Sequence, residues 1–231
     1  DQWQGLAKHC AERDLVFISS PFSEESVDLL QRVGMPVWKV ASGEVNNPIM
    51  LEKMIWAAQE TKAPILISSG MSSLAELDAA VQKVWDSNAS VGVFQCTSKY
   101  PLQPEELGLN NLEIFRKRYG VPVGLSDHSG TIYAGLAASA LGVNMLEVHV
   151  TMSREMFGPD VPASVTTTEL KDMIKGIRFI EQALGSGVDK DKAALEFAKM
   201  RGTFGKALII NTDLKKGQII ERHFLSDRKP G

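Results

Sequence analysis

Two histidines, each next to or one residue from an acid, give the first chemical suggestion in this chain. Ser126-Asp127-His128 closes one apolar run and Glu147-Val148-His149 closes the next. Neutral imidazole is a common ligand of divalent metals, so a pair at matching positions suggests one shared ion. Residues 121–125 predict a buried strand, 131–141 a helix of small residues, and 144–150 the following strand. Parallel strands of such a βαβ unit lie about 4.8 Å apart, and His128 and His149 then emerge from the same end. Glu147 and His149 are two apart on a strand, which turns both to one face. The adjacency Ser126-Asp127-His128 does not make a hydrolase, because triad geometry comes from the fold and the chain has no Gly-x-Ser-x-Gly turn.

Other strand ends carry further polar groups. Lys39-Val40-Ala41-Ser42-Gly43-Glu44 brings an ammonium, a hydroxyl and a carboxylate together, a set suited to holding an anion and moving a proton beside it. Ser68-Ser69-Gly70-Met71 has the short residues that let hydroxyls and backbone N–H groups converge on a phosphate, although serines before a helix also serve as caps. Gln95-Cys96-Thr97-Ser98-Lys99-Tyr100-Pro101 places Ser98 and Tyr100 at a third end.

Six strand-helix units are needed to position these groups. Their strands are expected at 15–19, 37–41, 64–68, 91–96, 121–125 and 144–150. Helix starts are marked by Ser23, by Asn47-Pro48, and by Ser73-x-x-Glu76 and Thr166-x-x-Glu169 capping boxes. Core faces are expected from Leu51, Met54, Ile55 and Ala58 in one helix, and from Leu170, Met173, Ile174, Ile177 and Leu184 in the last. Alternation of this kind implies a parallel sheet, and chemistry at every strand's C-terminal end is the arrangement of a (β/α)8 TIM barrel. Six units fall two short of eight, so either the first two βα units are absent from this chain or the sheet is open. The barrel region is set at 1–200, with 190–200 as a solvated charged helix. The stretch 201–231, with strand-like 207–210 and 218–220, reads as a linker and the start of a second domain.

With 231 residues, 44% of them hydrophobic, the chain can bury a large α/β core. A formal charge of -3 without a dense basic tract argues against nucleic acid. No apolar run approaches the roughly 20 residues of a membrane span, and Asp1-Gln2-Trp3-Gln4 has no leader character, so a cytoplasmic protein is expected, with Cys10 and Cys96 reduced. His9 and His223 are expected at the surface.

The motifs at 39–44, 68–71, 95–98 and 124–128, together with Leu146-Glu147-Val148-His149 and Gly158-Pro159-Asp160, resemble the successive signatures of the sialic acid (N-acetylneuraminate) synthase family in order and spacing. The resemblance implies condensation of phosphoenolpyruvate with an N-acetylated amino sugar such as N-acetylmannosamine, giving a nonulosonic acid and phosphate. By position it implies that Lys39, Ser42, Ser68, Ser98 and Ser126 hold phosphoenolpyruvate and that Glu44 sits by the reacting carbon. Tyr100 and Asp160 would meet the sugar, and His128 and His149 would bind a divalent ion, manganese first, with magnesium or cobalt as alternatives. It further implies a C-terminal antifreeze-like domain that caps the partner's site in a domain-swapped homodimer. Ser98 stands where several members have asparagine, and Val148 where many have arginine. The family's first two strands supply a glutamate and a lysine that have no counterpart here. A deoxy-octulosonate phosphate synthase type of enzyme is the nearest alternative, but it takes a phosphorylated sugar and calls for a second basic cluster. A catalytically inactive binding protein on the same barrel is the other.

Overall fold

The computed structural model describes residues 2–229, which divide between Leu184 and Gly185 into two compact units. In the first, six strands form one parallel sheet in sequential order: β1 Trp38–Val40, β2 Ile65–Ser68, β3 Val91–Cys96, β4 Val123–Asp127, β5 Met145–Thr151 and β6 Ser164–Thr166. Helices α1 Gln2–Ala11 and α2 Glu24–Val33 precede the sheet. The crossovers carry α3 Pro48–Thr61, α4 Leu74–Asp86, α5 Asn110–Tyr119 and α6 Tyr133–Ala140, and α7 Thr167–Gly185 follows β6.

Alternation along the strands separates two layers. Trp38, Val40, Ile65, Ile67, Val93, Val123 and Leu125 are sealed against the helices. Leu51, Met54, Ile55 and Ala58 of α3 and Leu77, Val81 and Val84 of α4 form the other half of that core, as the helical periodicity predicts, whereas Leu74, expected on the same stripe, is exposed in the first turn of α4. Local chemistry sets the helix starts. Asn47 Oδ1 accepts from the Met50 N–H with Pro48 at the first turn, and Ser73 and Glu76 close a reciprocal capping box, as do Thr166 and Glu169.

The opposite face of the sheet is concave. Lys39 on β1 and Glu147 on β5 stand four strands apart, roughly 19 Å in a flat sheet at about 4.8 Å per step. Their charged atoms are nevertheless 3.2 Å apart, so the sheet must curl. Glycine permits the packing inside the curl. A Cβ at Gly124 would lie 2.6 Å from the Phe94 ring, so the bare position is what lets Phe94 fill the interior. The architecture is therefore the α/β arrangement expected, seen as a curled six-stranded half-barrel.

Three expectations for the first unit need correction. Residues 15–19 form no strand: Leu15, Val16 and Ile18 are exposed, and the segment joins no ladder beside β1. Its β-branched residues meet the propensity but find no neighbouring strand, and propensity without a partner does not make a sheet. The sixth strand is instead Ser164–Thr166, three residues paired to His149–Thr151. Along α7 only Met173 is buried, against Gly135, while Ile174 and Leu184 are exposed, because the eight residues of α6 cover only part of a 19-residue helix.

The second unit holds α8 Lys190–Glu196, α9 Ala198–Phe204 and an antiparallel pair, β7 Ala207–Ile210 with β8 Leu225–Arg228. The single charged helix expected at 190–200 is broken at Phe197, and the partner of β7 is 225–228 rather than 218–220. By compactness the helical stretch 190–204 goes with this unit.

Candidate active site

The concave face closes around a cavity of about 680 Å³ at the C-terminal ends of the strands. Lys39, Ser42, Ser68, Ser98, Ser126, Tyr100, His128 and His149 all line it, so eight of the residues singled out by type and spacing converge.

Lys39 is buried at the floor, where its Nζ donates to Ser68 Oγ at 2.7 Å and pairs with Glu147 Oε2 at 3.2 Å. The Phe94 ring lies 5.4 Å from the ammonium. Ser126 and Glu147 are register partners on β4 and β5, and the hydroxyl donates to Glu147 Oε1 at 2.7 Å. The serine loops meet at Gly70. A Cβ there would lie 2.3 Å from Ser98 Oγ and 2.5 Å from Ser42 Oγ, so only glycine lets these hydroxyls approach one another. The result is a cradle of one ammonium and several hydroxyls, matched to an oxyanion such as phosphate.

Across the cavity, His128 and His149 have ring centroids 5.2 Å apart. Tyr100 stacks on His128 at 4.1 Å and meets His149 edge-on at 5.5 Å. The His128 Nδ1 lies 2.8 Å from the Thr97 carbonyl, which can only accept, so Nδ1 carries the proton and Nε2 presents a lone pair. Burial pushes the His128 pKa below the ordinary imidazole value, with the Thr97 bond opposing and His149 adding to the fall. A neutral ring with Nε2 free is what a metal requires, and the ring separation suits two ligands of one ion. No cluster of three or more His, Cys, Asp or Glu residues forms a complete ligand set among the described residues. The two imidazoles are thus the nitrogen donors that a divalent ion would find in this cavity.

Burial raises the Tyr100 pKa, followed by the nearby Cys96, Asp160 and Glu147. Asp127 points away from the cavity and accepts from Ser129 N and Oγ at 2.9 and 2.8 Å. Its pKa is raised by burial against those bonds, and it shapes the loop after β4, with no part in a triad.

Two residues expected at the site stand outside the cavity lining. Glu44 lies in the 3-10 turn Ser42–Glu44, past the end of β1, and its Oε2 accepts from Asn47 Nδ2 at 2.9 Å. Asp160 stands beside His149, with Oδ2 3.7 Å from Nδ1. The carboxylate inside is Glu147, to which the sequence assigned no role, although its shared parity with His149 marked the face it occupies. Ser19 and Ser20 also line the cavity, from the segment that forms no strand.

A family model described as the NeuB family matches residues 1–189. The chain belongs to the NeuB family. It is 33% identical over 228 residues to the N,N'-diacetyllegionaminic acid synthase of Campylobacter jejuni subsp. jejuni serotype O:2, covering 97% of this chain and 66% of that protein. It is also 33% identical to the N-acetylneuraminate-9-phosphate synthase of Homo sapiens, covering 98% of this chain and 62% of that one. The chain thus spans about two thirds of the length of the curated relatives it matches. Among solved structures, the N-acetylneuraminic acid (sialic acid) synthetase of Leptospira borgpetersenii serovar Hardjo-bovis, in complex with citrate, aligns with a TM-score of 0.77 at 26% identity, over 87% of this chain and 70% of that one. A truncated 3-deoxy-D-arabino-heptulosonate 7-phosphate synthase from Thermotoga maritima shares the fold, with a TM-score of 0.70 at 17% identity over 81% of this chain and 73% of that one.

Proposed function

We propose that this NeuB-family chain carries the condensing site of a nonulosonic acid synthase, joining phosphoenolpyruvate to the aldehyde of an N-acetylated amino sugar with release of phosphate. The carrying observation is the opposition, within one cavity, of a buried ammonium with its hydroxyls and a pair of imidazoles with ring centroids 5.2 Å apart. The relatives named as legionaminic and neuraminate-9-phosphate synthases support the reaction class.

In this reading Lys39, Ser42, Ser68, Ser98 and Ser126 bind the phosphoenolpyruvate and offset the charge of its phosphate. Tyr100, stacked on His128, packs against the sugar with Asp160 at the rim. His128 and His149 would hold a divalent ion, which would supply Lewis acidity toward the aldehyde. The enol carbon of phosphoenolpyruvate forms a bond to the aldehyde carbon, leaving a cationic centre at C2. Water adds there with Glu44 as the base, a role that requires the Glu44 carboxylate to leave Asn47 and turn into the cavity whose lining it stands outside here. The resulting hemiketal phosphate gives up its hydroxyl proton as the C2–O bond to phosphate breaks, leaving the 2-keto acid and inorganic phosphate; of the two protons of the water, one ends on the alkoxide formed from the aldehyde and the other on the phosphate.

Lys39 is the one Lys or Arg among the described lining residues, which favours an unphosphorylated sugar over the sugar phosphate of the octulosonate-type reaction. The same reading takes the six strands as part of a (β/α)8 barrel and residues beyond 200 as the approach to an antifreeze-like domain. Manganese as the metal, a domain-swapped homodimer and a cytoplasmic location rest on the family resemblance. The test is phosphate release from phosphoenolpyruvate with N-acetylmannosamine, its 6-phosphate and related N-acetylated hexosamines, with and without manganese. Release that requires both an unphosphorylated acceptor and a divalent ion is expected. Release with the 6-phosphate alone would overturn the assignment of acceptor.

A further inference from the structure

The ion pair inside the cavity joins groups in unequal surroundings. The Lys39 side chain is 9% exposed and that of Glu147 is 43% exposed. A buried ammonium without a counter-charge is strongly unfavourable, whereas a half-exposed carboxylate keeps much of its water. Lys39 therefore depends on Glu147 more than Glu147 depends on Lys39. The other oxygen of the same carboxylate accepts from Ser126. One residue on β5 thus occupies, at once, a cation from β1 and a hydroxyl from β4 that are not neighbours in the sheet.

Those two donors are among the groups that the proposed function assigns to phosphoenolpyruvate, and carboxylate and phosphate oxygens seek the same donors. Two anions cannot both take them without repelling each other. We infer that Glu147 is a positioning residue, a resident counter-ion that holds Lys39 and Ser126 ready and yields both to the phosphate of the entering substrate. This deepens the proposed function and rests on it.

Two opposite consequences follow from discharging Glu147. Phosphate loses a competitor and binds more tightly, while without phosphate Lys39 is left uncompensated and the fold weakens. A purely structural role predicts the weakening but no recovery that depends on an anion. The experiment titrates inorganic phosphate calorimetrically, with a chelator present, into the full chain as wild type, Glu147→Gln, Glu147→Asp and Lys39→Met, and records thermal midpoints with and without phosphate. Glu147→Gln is expected to bind phosphate about tenfold more tightly than wild type and to gain more in midpoint from it. Glu147→Asp, which withdraws the carboxylate without discharging it, is expected between the two. It carries the test alone if Glu147→Gln does not fold. Equal or weaker binding in the glutamate variants, lost in Lys39→Met, overturns this inference and leaves the phosphate site standing. Absence of binding in wild type and variants alike overturns both.

Discussion

The two faces of the curled sheet are built from the same strands and have opposite properties. On the outer face Ile65, Ile67, Val93 and Val123 are fully buried and the contacts are almost wholly apolar. On the inner face the same strands carry Lys39, Ser68, Ser126, Glu147 and His149, and the inward positions of β5 remain only partly covered. The period of two along a strand is what allows this separation. Stability is concentrated on one side and chemistry on the other, so substitutions on the two faces should fail in different ways.

The largest effect is expected from removing an imidazole. His128→Ala or His149→Ala should lower manganese affinity about a hundredfold or more and abolish condensation; unfolding free energy should change little for His149→Ala, whose side chain is partly exposed, and fall for His128→Ala, whose ring is buried and bonded to Thr97. Manganese titration followed by electron paramagnetic resonance reads the first, and denaturant unfolding the second. A fall in stability equal to that of a core variant would erase the contrast between the faces. Leu125→Ala, next to Ser126 but facing outward, should destabilise the fold by about 2–5 kcal/mol and leave the affinity of the remaining folded protein for phosphoenolpyruvate unchanged.

Gly70→Ala sharpens the comparison on the inner face. Its methyl would press on Ser98 Oγ and Ser42 Oγ, and phosphoenolpyruvate affinity should fall about tenfold as the hydroxyls part. Wild-type affinity by calorimetry would show that this cradle does not bind the substrate. The smallest effect is expected on the outermost layer, between α4 and α5. There Arg118 Nε donates to Asp78 Oδ1 at 2.6 Å, and the carboxyl is pulled down to about 2, chiefly by the guanidinium. A carboxylate whose pKa is lower folded than unfolded stabilises the fold above the unfolded value of about 3.9, and that contribution is lost as pH falls from there toward 2. Asp78→Asn should therefore show a shallower loss of stability than wild type across that acid window. The difference is small, because the pair is partly exposed and screened by solvent. Parallel acid unfolding curves for the two proteins would contradict it.

How much of this was legible in the sequence follows the range of the interactions. Asn47 before Pro48, and Ser73 three residues before Glu76, act within one turn, and both caps stand as expected. The outer core was legible from periodicity. The segment 15–19 was misread because its β-branched residues state a preference that only a neighbouring strand can realise. Ser164–Thr166 was missed because three residues with two hydroxyls carry little strand signal, and its pairing to His149–Thr151 is what makes it a strand.

The same limit governs the site. Position at the C-terminal ends of strands singled out Lys39, Ser68, Ser126 and His149, and the cavity gathers them. Parity ends with the strand at Val40, so it could not follow Glu44 into the turn, where Asn47 holds the carboxylate outside the cavity lining. The role of Glu147 depends on register with Ser126 and on sheet curvature, and neither is written in local spacing.

The central claim, that the amine and hydroxyls of this cavity receive the phosphate of phosphoenolpyruvate, is tested most directly by phosphorus magnetic resonance. Phosphoenolpyruvate is titrated with the wild-type chain and with Lys39→Met. The account predicts a shifted and broadened phosphorus signal with wild type and the signal of free ligand with Lys39→Met. The same perturbation in both proteins would contradict it.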